Sequence, residues 1–267
     1  MENTSFIQRI VNLIFTPSKA FDGLVDGVSY KDWLYPFIIV VAGLIILPLF
    51  YRDISLDEGE YRLNKIMRSI ENNADMPEEQ KAAYLDKMYE GFEKVDDARE
   101  NPFAFRNLWG YFLLPIMLLV MAAFFAAILL LVGNFGMGGQ VKFFQMFTMV
   151  MLTYLIGGNG FFMNMLPGVG TLELMVKTPL IMIKESTSLA LSPGLLFDEI
   201  DTFLKHFANQ LDLFRVWGMV VMGFGFAKLY NQPTATGIMA VGFPWLILVS
   251  IGAALLKANS AAMGSLN

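Results

Sequence analysis

Residues 108–133 read LWGYFLLPIMLLVMAAFFAAILLLVG, and none of these 26 positions carries a charged side chain. At 1.5 Å of rise per residue, a helix of this length extends about 39 Å, which is enough to cross a hydrocarbon core of about 30 Å. In lipid each unpaired backbone amide costs several kcal/mol, so an uninterrupted apolar run is best satisfied as a helix. This stretch predicts a transmembrane helix.

Four further apolar stretches have comparable lengths: residues 33–51, 141–166, 214–230 and 235–256. Several of them are interrupted by Gly or Pro. Hydrophobic residues make up 55% of the chain and charged residues 16%, against about 25% charged residues in soluble domains. This composition excludes a soluble globular fold and a disordered acidic protein. The sequence therefore predicts an all-α integral membrane protein, with a bundle of about five transmembrane helices in which residues 33–51 form the first span and residues 108–267 contain spans two to five.

The N-terminal segment, residues 1–32, has the pattern of two short amphipathic helices. Thr4 or Ser5 can cap the first helix, and Thr16-Pro17 is typical of the start of the second. In the first helix one face is apolar and the polar residues lie elsewhere, the apolar positions being Phe6, Ile10, Leu13 and Ile14 and the polar ones Gln8, Arg9 and Asn12. We expect these helices either to lie in the membrane interface or to pack against the bundle.

Residues 52–107 form a charged insert after the first span, with 14 acidic and 9 basic side chains. Apolar residues recur in it at helical spacing: Leu63, Ile66 and Ile70, then Leu85, Met88, Phe92 and Val95. This periodicity predicts two amphipathic helices, arranged as a hairpin, and a partly disordered acidic loop is the alternative. The rest of the chain is close to neutral, which argues against a nucleic-acid partner because phosphate neutralisation needs a basic surface.

The third apolar stretch follows a short linker, residues 133–140, and is broken by Gly157-Gly158-Asn159-Gly160. A linker this short predicts that spans two and three are antiparallel. Consecutive glycines unwind or bend a helix, and carbonyls freed at membrane depth can line a transport site. The same glycines also permit close helix packing around a kink, which we favour because no intramembrane acid accompanies them.

Residues 171–212 are harder to assign. Their apolar run, 172–183, contains Glu173, Lys177 and Pro179, so it is too short and too polar to cross a membrane. A re-entrant or interfacial helix is predicted, and a solvent-exposed segment is the alternative. Glu173 and Lys177 are four residues apart and can pair on one helix face. A structural ion pair is favoured over a proton relay.

Residues for catalysis or metal binding are scarce. The chain has no cysteine and one histidine, His206, which cannot build a multi-histidine metal site. Phosphate-loop, zinc-protease and serine-hydrolase motifs do not occur. We predict no catalytic residue, no metal site and no cofactor, and we expect that the chain is not an enzyme.

A longer pattern begins with the N-terminal helix that ends at Thr16-Pro17 and with the proline-containing first span. It continues through the linker and the later spans at nine positions: Gly138, Gly139, Phe143, Tyr154, Asp212, Phe214, Trp217, Pro244 and Trp245. The pattern resembles the Yip (Ypt-interacting protein) domain family over nearly the whole chain. Prokaryotic members of that family often carry a charged helical insert after the first span, as here.

The resemblance implies a five-helix protein of a bacterial cytoplasmic (inner) membrane, which acts by interaction or by shaping its membrane. Eukaryotic Yip proteins are implicated in binding Rab-type GTPases through a long cytosolic N-terminal region. We expect this chain to lack that region, so a GTPase partner is not carried over.

Two functions follow as hypotheses. The favoured one is a non-enzymatic scaffold, adaptor or membrane-organising protein, whose partners are the lipid bilayer and either another protein or a second copy of this chain. The alternative is a transporter of a small solute or lipid with its site at the broken third span. Such a pathway needs polar side chains that face the bundle interior, and the candidates are Asn134, Gln145, Thr148, Asn159 and Asn164. The last four do not share one helical stripe, which weakens the transport hypothesis.

Overall fold

A computed structural model of the chain describes residues 5–74, 76–102, 104–157, 170–187, 191–197 and 203–264. The ordered elements of these residues are all helices, joined by turns and loops, and none is a strand, which confirms the all-α prediction. The α-helices are, in chain order, α1 (Phe6–Phe15), α2 (Pro17–Ala20), α3 (Tyr30–Ile46), α4 (Arg52–Glu71), α5 (Glu78–Glu100), α6 (Phe105–Leu130), α7 (Phe143–Thr153), α8 (Thr171–Lys184), α9 (Phe203–Gln210), α10 (Leu213–Leu229) and α11 (Thr234–Gly264).

Three helices in the described part of the chain are long and apolar enough to cross a membrane: Tyr30–Glu71, Phe112–Phe135 and Thr234–Ala258. They correspond to the predicted first, second and fifth spans. The predicted fourth span is α10, whose 17 residues make a helix of about 25 Å, slightly shorter than the hydrocarbon core. Long apolar helices are what a membrane protein requires.

The first span runs directly into the charged insert. Helices α3 and α4 form one rod of 42 residues, and a 3₁₀ segment, Leu47–Tyr51, joins them. Pro48 lies at the start of this segment, where its missing N–H interrupts the α-helical hydrogen bonds. The predicted boundary at residue 51 is therefore a change of helix type within a continuous rod.

The insert contains the two predicted helices, α4 and α5, and they pack as a hairpin. Gly91 permits a close approach, since a Cβ there would lie 3.0 Å from Leu63 Cδ2. Arg99 of α5 reaches back to Asp57 at 2.7 Å and to Glu60 at 3.3 Å on α4. Of the regularly spaced apolar residues of α4, Leu63 thus lies in the contact between the two helices, whereas Ile66 is 46% exposed.

Helix α7 is the centre of the bundle. Every residue from Gln145 to Gly157 is buried, and α7 contacts α3, α6 and α10. A helix that is apolar on all sides suits such a central position. Its 11 residues extend about 16 Å, about half of a hydrocarbon core, so the described part of the predicted third span is not one full-length helix. A turn follows Thr153, and residues 158–166 lie outside the described ranges.

The helices place their connections at two ends of the bundle. At the linker end, Gln145 Nε2 donates to the carbonyl of Leu24 at 2.8 Å, which joins the start of α7 to the loop between α2 and α3. At the hairpin end, Ser186 Oγ donates to Glu58 at 2.7 Å, which joins the segment after α8 to α4. We use the names linker end and hairpin end for these two regions below.

Helix α1 packs on the bundle with a face that combines apolar and polar residues. Arg9 and Asn12 are buried, whereas Ile7 is 75% exposed and Phe15 is 77% exposed. The cause is tertiary, because Arg9 Nη1 forms an ion pair at 2.9 Å with Asp32 at the start of α3. Of the predicted apolar face only Leu13 is fully buried. The expected packing against the bundle therefore exists, and it uses the predicted apolar face together with Arg9 and Asn12, since Ile10 packs against the core and the Phe6 ring contacts the Tyr35 ring at 5.6 Å between centroids.

Candidate functional site

Seven of the nine positions of the family pattern lie at the two ends of the bundle. Gly138, Gly139 and Phe143 lie at the linker end. Tyr154, Asp212, Phe214 and Trp217 belong to the hairpin end, where α7 finishes and α10 begins. Pro244 and Trp245 lie within α11, and Trp245 is buried in the core. The structure brings together two groups of these residues and no single site.

At the linker end the ring of Tyr230 lies against two glycines. A Cβ on Gly133 or on Gly139 would overlap this ring, so both positions require glycine for close packing. Tyr230 Oη donates to Asn134 Oδ1 at 2.8 Å. Asn134 also bonds both backbone groups of Val141, each at 3.0 Å. We call this group of contacts the linker cluster, and it holds together the turn from α6 to α7.

At the hairpin end, glycines let three backbones meet where α7 finishes. A Cβ on Gly157 would lie 2.7 Å from the carbonyl carbon of Phe214, and one on Gly218 would lie 3.0 Å from Gly157 O. A Cβ on Gly170 would overlap the carbonyl of Ile156. Gly157 is therefore a packing residue, in agreement with the favoured interpretation. Gly158, Asn159 and Gly160 lie outside the described residues.

The start of α8 caps the end of α7. Leu172 N donates to Leu155 O at 2.9 Å, and Glu173 N donates to Ile156 O at 3.2 Å. The first amides and last carbonyls of helices have no partner within their own helix, so these bonds satisfy both ends at once. They also fix Glu173 directly beside the helix break.

Four charged side chains meet at this junction, and we call them the charge cluster: Glu173, Lys177, Asp212 and Arg215. Lys177 Nζ bridges the two acids, at 2.6 Å from Glu173 Oε1 and 2.9 Å from Asp212 Oδ2. Glu173 is 2% exposed, Asp212 3% and Arg215 5%. Two acids and two bases sum to zero formal charge, as expected of buried ionised groups.

The members of the charge cluster differ in how well they are bonded. Asp212 Oδ1 accepts a hydrogen bond from Phe214 N at 3.0 Å and so caps α10. Arg215 Nη1 donates to Gln210 Oε1 at 3.3 Å, but Arg215 Nε has no partner among the described residues. Glu173 Oε2 also lacks a partner there. Burial raises the pKa of the Glu173 carboxyl, and the charges of Lys177 and Arg215 oppose this shift.

The sequence predicted only part of this cluster. The pair of Glu173 and Lys177 was expected from their spacing, and it is present. The sequence marks Asp212 only through the family resemblance, which does not mark Arg215. No intramembrane acid accompanies the glycines in the sequence, but the structure places Glu173, from the predicted re-entrant or interfacial segment, beside the end of α7, where its N donates to Ile156 O. The available signals were two charges in the short apolar run of α8 and an Asp-x-x-Arg spacing at residues 212–215.

The polar residues considered for a transport path do not gather at one place. Asn134 and Gln145 are engaged in structural hydrogen bonds at the linker end. Thr148 is fully buried in α7 and its hydroxyl has no partner among the described residues. Asn159 and Asn164 lie outside the described ranges.

In the part of the chain that the structure describes, no group of three or more His, Asp or Glu residues could hold a metal ion. Comparison with known proteins adds no identification, because no protein-family profile, curated protein or solved structure matches the chain.

Proposed function

We propose that this chain is a non-enzymatic integral membrane protein that acts as a scaffold, adaptor or membrane-organising factor. The observation that carries the proposal is the fixed attachment of the charged hairpin to the bundle. Glu58 of α4 accepts hydrogen bonds from Ser186 Oγ, from Thr187 N at 2.8 Å and from Thr187 Oγ1. A hairpin held in this way presents the same surface at all times, as a binding platform should.

The outer face of α5 supplies a recognition surface in this proposal. Five exposed acids recur on it at intervals of three, four or seven residues, which places them on one stripe: Glu79, Asp86, Glu90, Glu93 and Glu100. None of them forms an ion pair with any residue that the structure describes. An unpaired acidic stripe favours a partner with a basic surface, by charge complementarity.

The packing at the helix break also favours a scaffold over a transporter. Gly157 and Gly218 are used for close approach of α7 and α10, and Lys177 pairs with acids of the protein itself. Groups engaged in this way stabilise the bundle and need no solute to satisfy them.

The proposal includes five spans in a bacterial cytoplasmic membrane and membership of the Yip family, with no GTPase, nucleic-acid or cofactor partner. Two features support five spans. Helix α10 falls only slightly short of the hydrocarbon thickness, and α7 lies between three other long helices of the bundle. The termini would then lie on opposite sides of the membrane.

Site-specific photocrosslinking in native membranes tests the scaffold function. A crosslinker at Tyr89, which is exposed beside the acidic stripe, should give a discrete protein adduct, whereas one at the exposed Phe112 of α6 should give lipid adducts. Reversal of two stripe charges, Glu90→Lys with Glu93→Lys, should abolish the adduct. The matched double reversal on α4, Asp53→Lys with Glu71→Lys, should retain it. An adduct that survives the stripe reversal, or no protein adduct at all, contradicts the proposal.

A transporter of a small solute or lipid remains the second candidate because of one observation. Glu173 is a buried acid beside the helix break, and such residues mark ion and substrate pathways in membrane proteins. Proteoliposomes loaded with a pH-sensitive dye would reveal proton-coupled flux that Glu173→Gln removes. Flux equal to that of protein-free liposomes would count against this candidate.

A further inference from the structure

The two acids of the charge cluster are bonded unequally. Asp212 uses both carboxylate oxygens, Oδ1 for the amide of Phe214 and Oδ2 for Lys177. Glu173 uses only Oε1, for Lys177, and leaves Oε2 buried without a partner among the described residues. A carboxylate that accepts several hydrogen bonds stays ionised, whereas a buried and poorly bonded one favours its neutral form. Glu173 is therefore the acid of the cluster with a free buried oxygen for a proton.

The charges that act on Glu173 come from α8 itself and from the start of α10. They are Lys177, Arg215 and Asp212, and the two cations oppose protonation while Asp212 favours it. Helices α3 and α7 also meet α8, but residues 33–51 and 143–157 contain no Asp, Glu, Lys, Arg or His. The ionisable side chains in these two ranges are tyrosines. Desolvation of the Glu173 carboxylate outweighs the two cations and raises its pKa.

We propose that the charge cluster is a proton-binding site, in which Glu173 Oε2 accepts one proton from a hydronium ion, which leaves as water, while Asp212 keeps its contact with Lys177. The cluster then changes from zero formal charge to +1. The carboxyl O–H bond forms as one O–H bond of hydronium breaks, and no other covalent bond changes.

Protonation leaves the tie between α8 and α10 in place. Lys177 Nζ is shared by two carboxylates in the ionised cluster, and neutral Glu173 leaves the ammonium to Asp212 at the start of α10. Because the folded state binds this proton more tightly than the unfolded chain does, the associated stability is present at low pH. It is lost as the pH rises through the raised pKa of Glu173. This site can exist whether or not the hairpin binds a partner.

Infrared difference spectroscopy of the full chain in lipid, recorded between successive pH steps, tests the proposal. A protonated buried carboxyl should give a carbonyl band at higher frequency than solvated carboxyls, and it should appear at a higher pH than theirs. The band should vanish in Glu173→Gln, and it should persist in Asp212→Asn and in Glu185→Gln, where Glu185 is the exposed residue that ends α8.

A second measurement covers the case in which Glu173→Gln fails to fold. Wild-type protein made with isotope-labelled glutamate should show the band shifted, because its carbonyl then belongs to a glutamate. An unshifted band, a band retained in folded Glu173→Gln, or no band at any pH at which the protein stays folded would each overturn the proposal.

Discussion

Gly157→Ala tests whether the end of α7 is closed by direct backbone contact with α10. Gly157 has no positive φ, so alanine can adopt its backbone conformation without strain. The added methyl group is therefore the whole perturbation. It would point at the peptide group between Phe214 and Arg215, which belongs to the first turn of α10 and cannot rotate away as a side chain could.

The size of the effect follows from the distances. A Cβ on Gly157 would lie 2.7 Å from the Phe214 carbonyl carbon and 3.1 Å from Arg215 N. Favourable contacts between carbon atoms lie at about 3.5–4.0 Å, so α7 and α10 must separate by roughly 1 Å. Overpacking of this kind costs about 1–3 kcal/mol. For a chain of this size each kcal/mol lowers the melting temperature by about 2–4 °C, so we expect a decrease of about 2–12 °C.

Thermal unfolding in detergent, followed by circular dichroism, measures this change. Gly59→Ala is the matched control, because a Cβ on Gly59 in α4 would meet nothing within 4 Å. Replacing glycine by alanine in an open helical position stabilises by about 0.5–1 kcal/mol, so the control should melt slightly higher than the wild type. The same substitution should thus have opposite signs at the two positions. If Gly157→Ala melts with or above the wild type, the close contact between α7 and α10 does not exist.

Three further predictions concern the linker cluster, the hairpin attachment and the charge cluster. Asn134→Ala should lower the free energy of unfolding in denaturant by about 1–3 kcal/mol, because it leaves Val141 N and O unpaired. Tyr230→Phe removes only one hydrogen bond, so it should lower that free energy by about 0.5–1.5 kcal/mol; equal losses in the two variants would contradict the linker cluster. Glu58→Ala should accelerate amide hydrogen exchange at Ser186 and Thr187, whereas the control Glu60→Ala should not. Unchanged exchange in Glu58→Ala would mean that other contacts hold the hairpin. Lys177→Met should lower the free energy of unfolding by about 3–5 kcal/mol, because two buried acids lose their cation, while Lys184→Met at an exposed position should change it little. If the two variants melt at similar temperatures, the charge cluster is not buried.

Local sequence signals predicted the helices well where the residues that set a helix lie within that helix or next to it. The run at residues 108–133 lies within α6 and its continuation, and the apolar spacing in the insert gave α4 and α5. Ser5 caps α1, as expected, with its Oγ accepting from Gln8 N at 3.2 Å. Periodicity, caps and apolar length act within a few residues, so they can be recognised from the sequence without a fold.

The candidate site was less predictable because its members are far apart in the chain. The pairing of Glu173 with Lys177 is a contact within one helix, and its spacing revealed it. Asp212 lies 35 residues beyond Lys177 and joins only because α10 begins beside α8. The same holds for Tyr230, whose ring explains Gly133 and Gly139 across about 90 residues of sequence.

The sequence by itself thus determined that the chain is helical, that several helices are long and apolar enough for a membrane, and that the charged insert folds as a hairpin. Only the tertiary structure decided which faces are covered. In α1 the apolar face predicted from periodicity packs inward, and Arg9 and Asn12 are buried with it because Asp32 of another helix supplies the charge that Arg9 needs. Hydrophobic periodicity identifies an amphipathic helix, but which polar residues are buried with its apolar face depends on the partners that the fold brings to it.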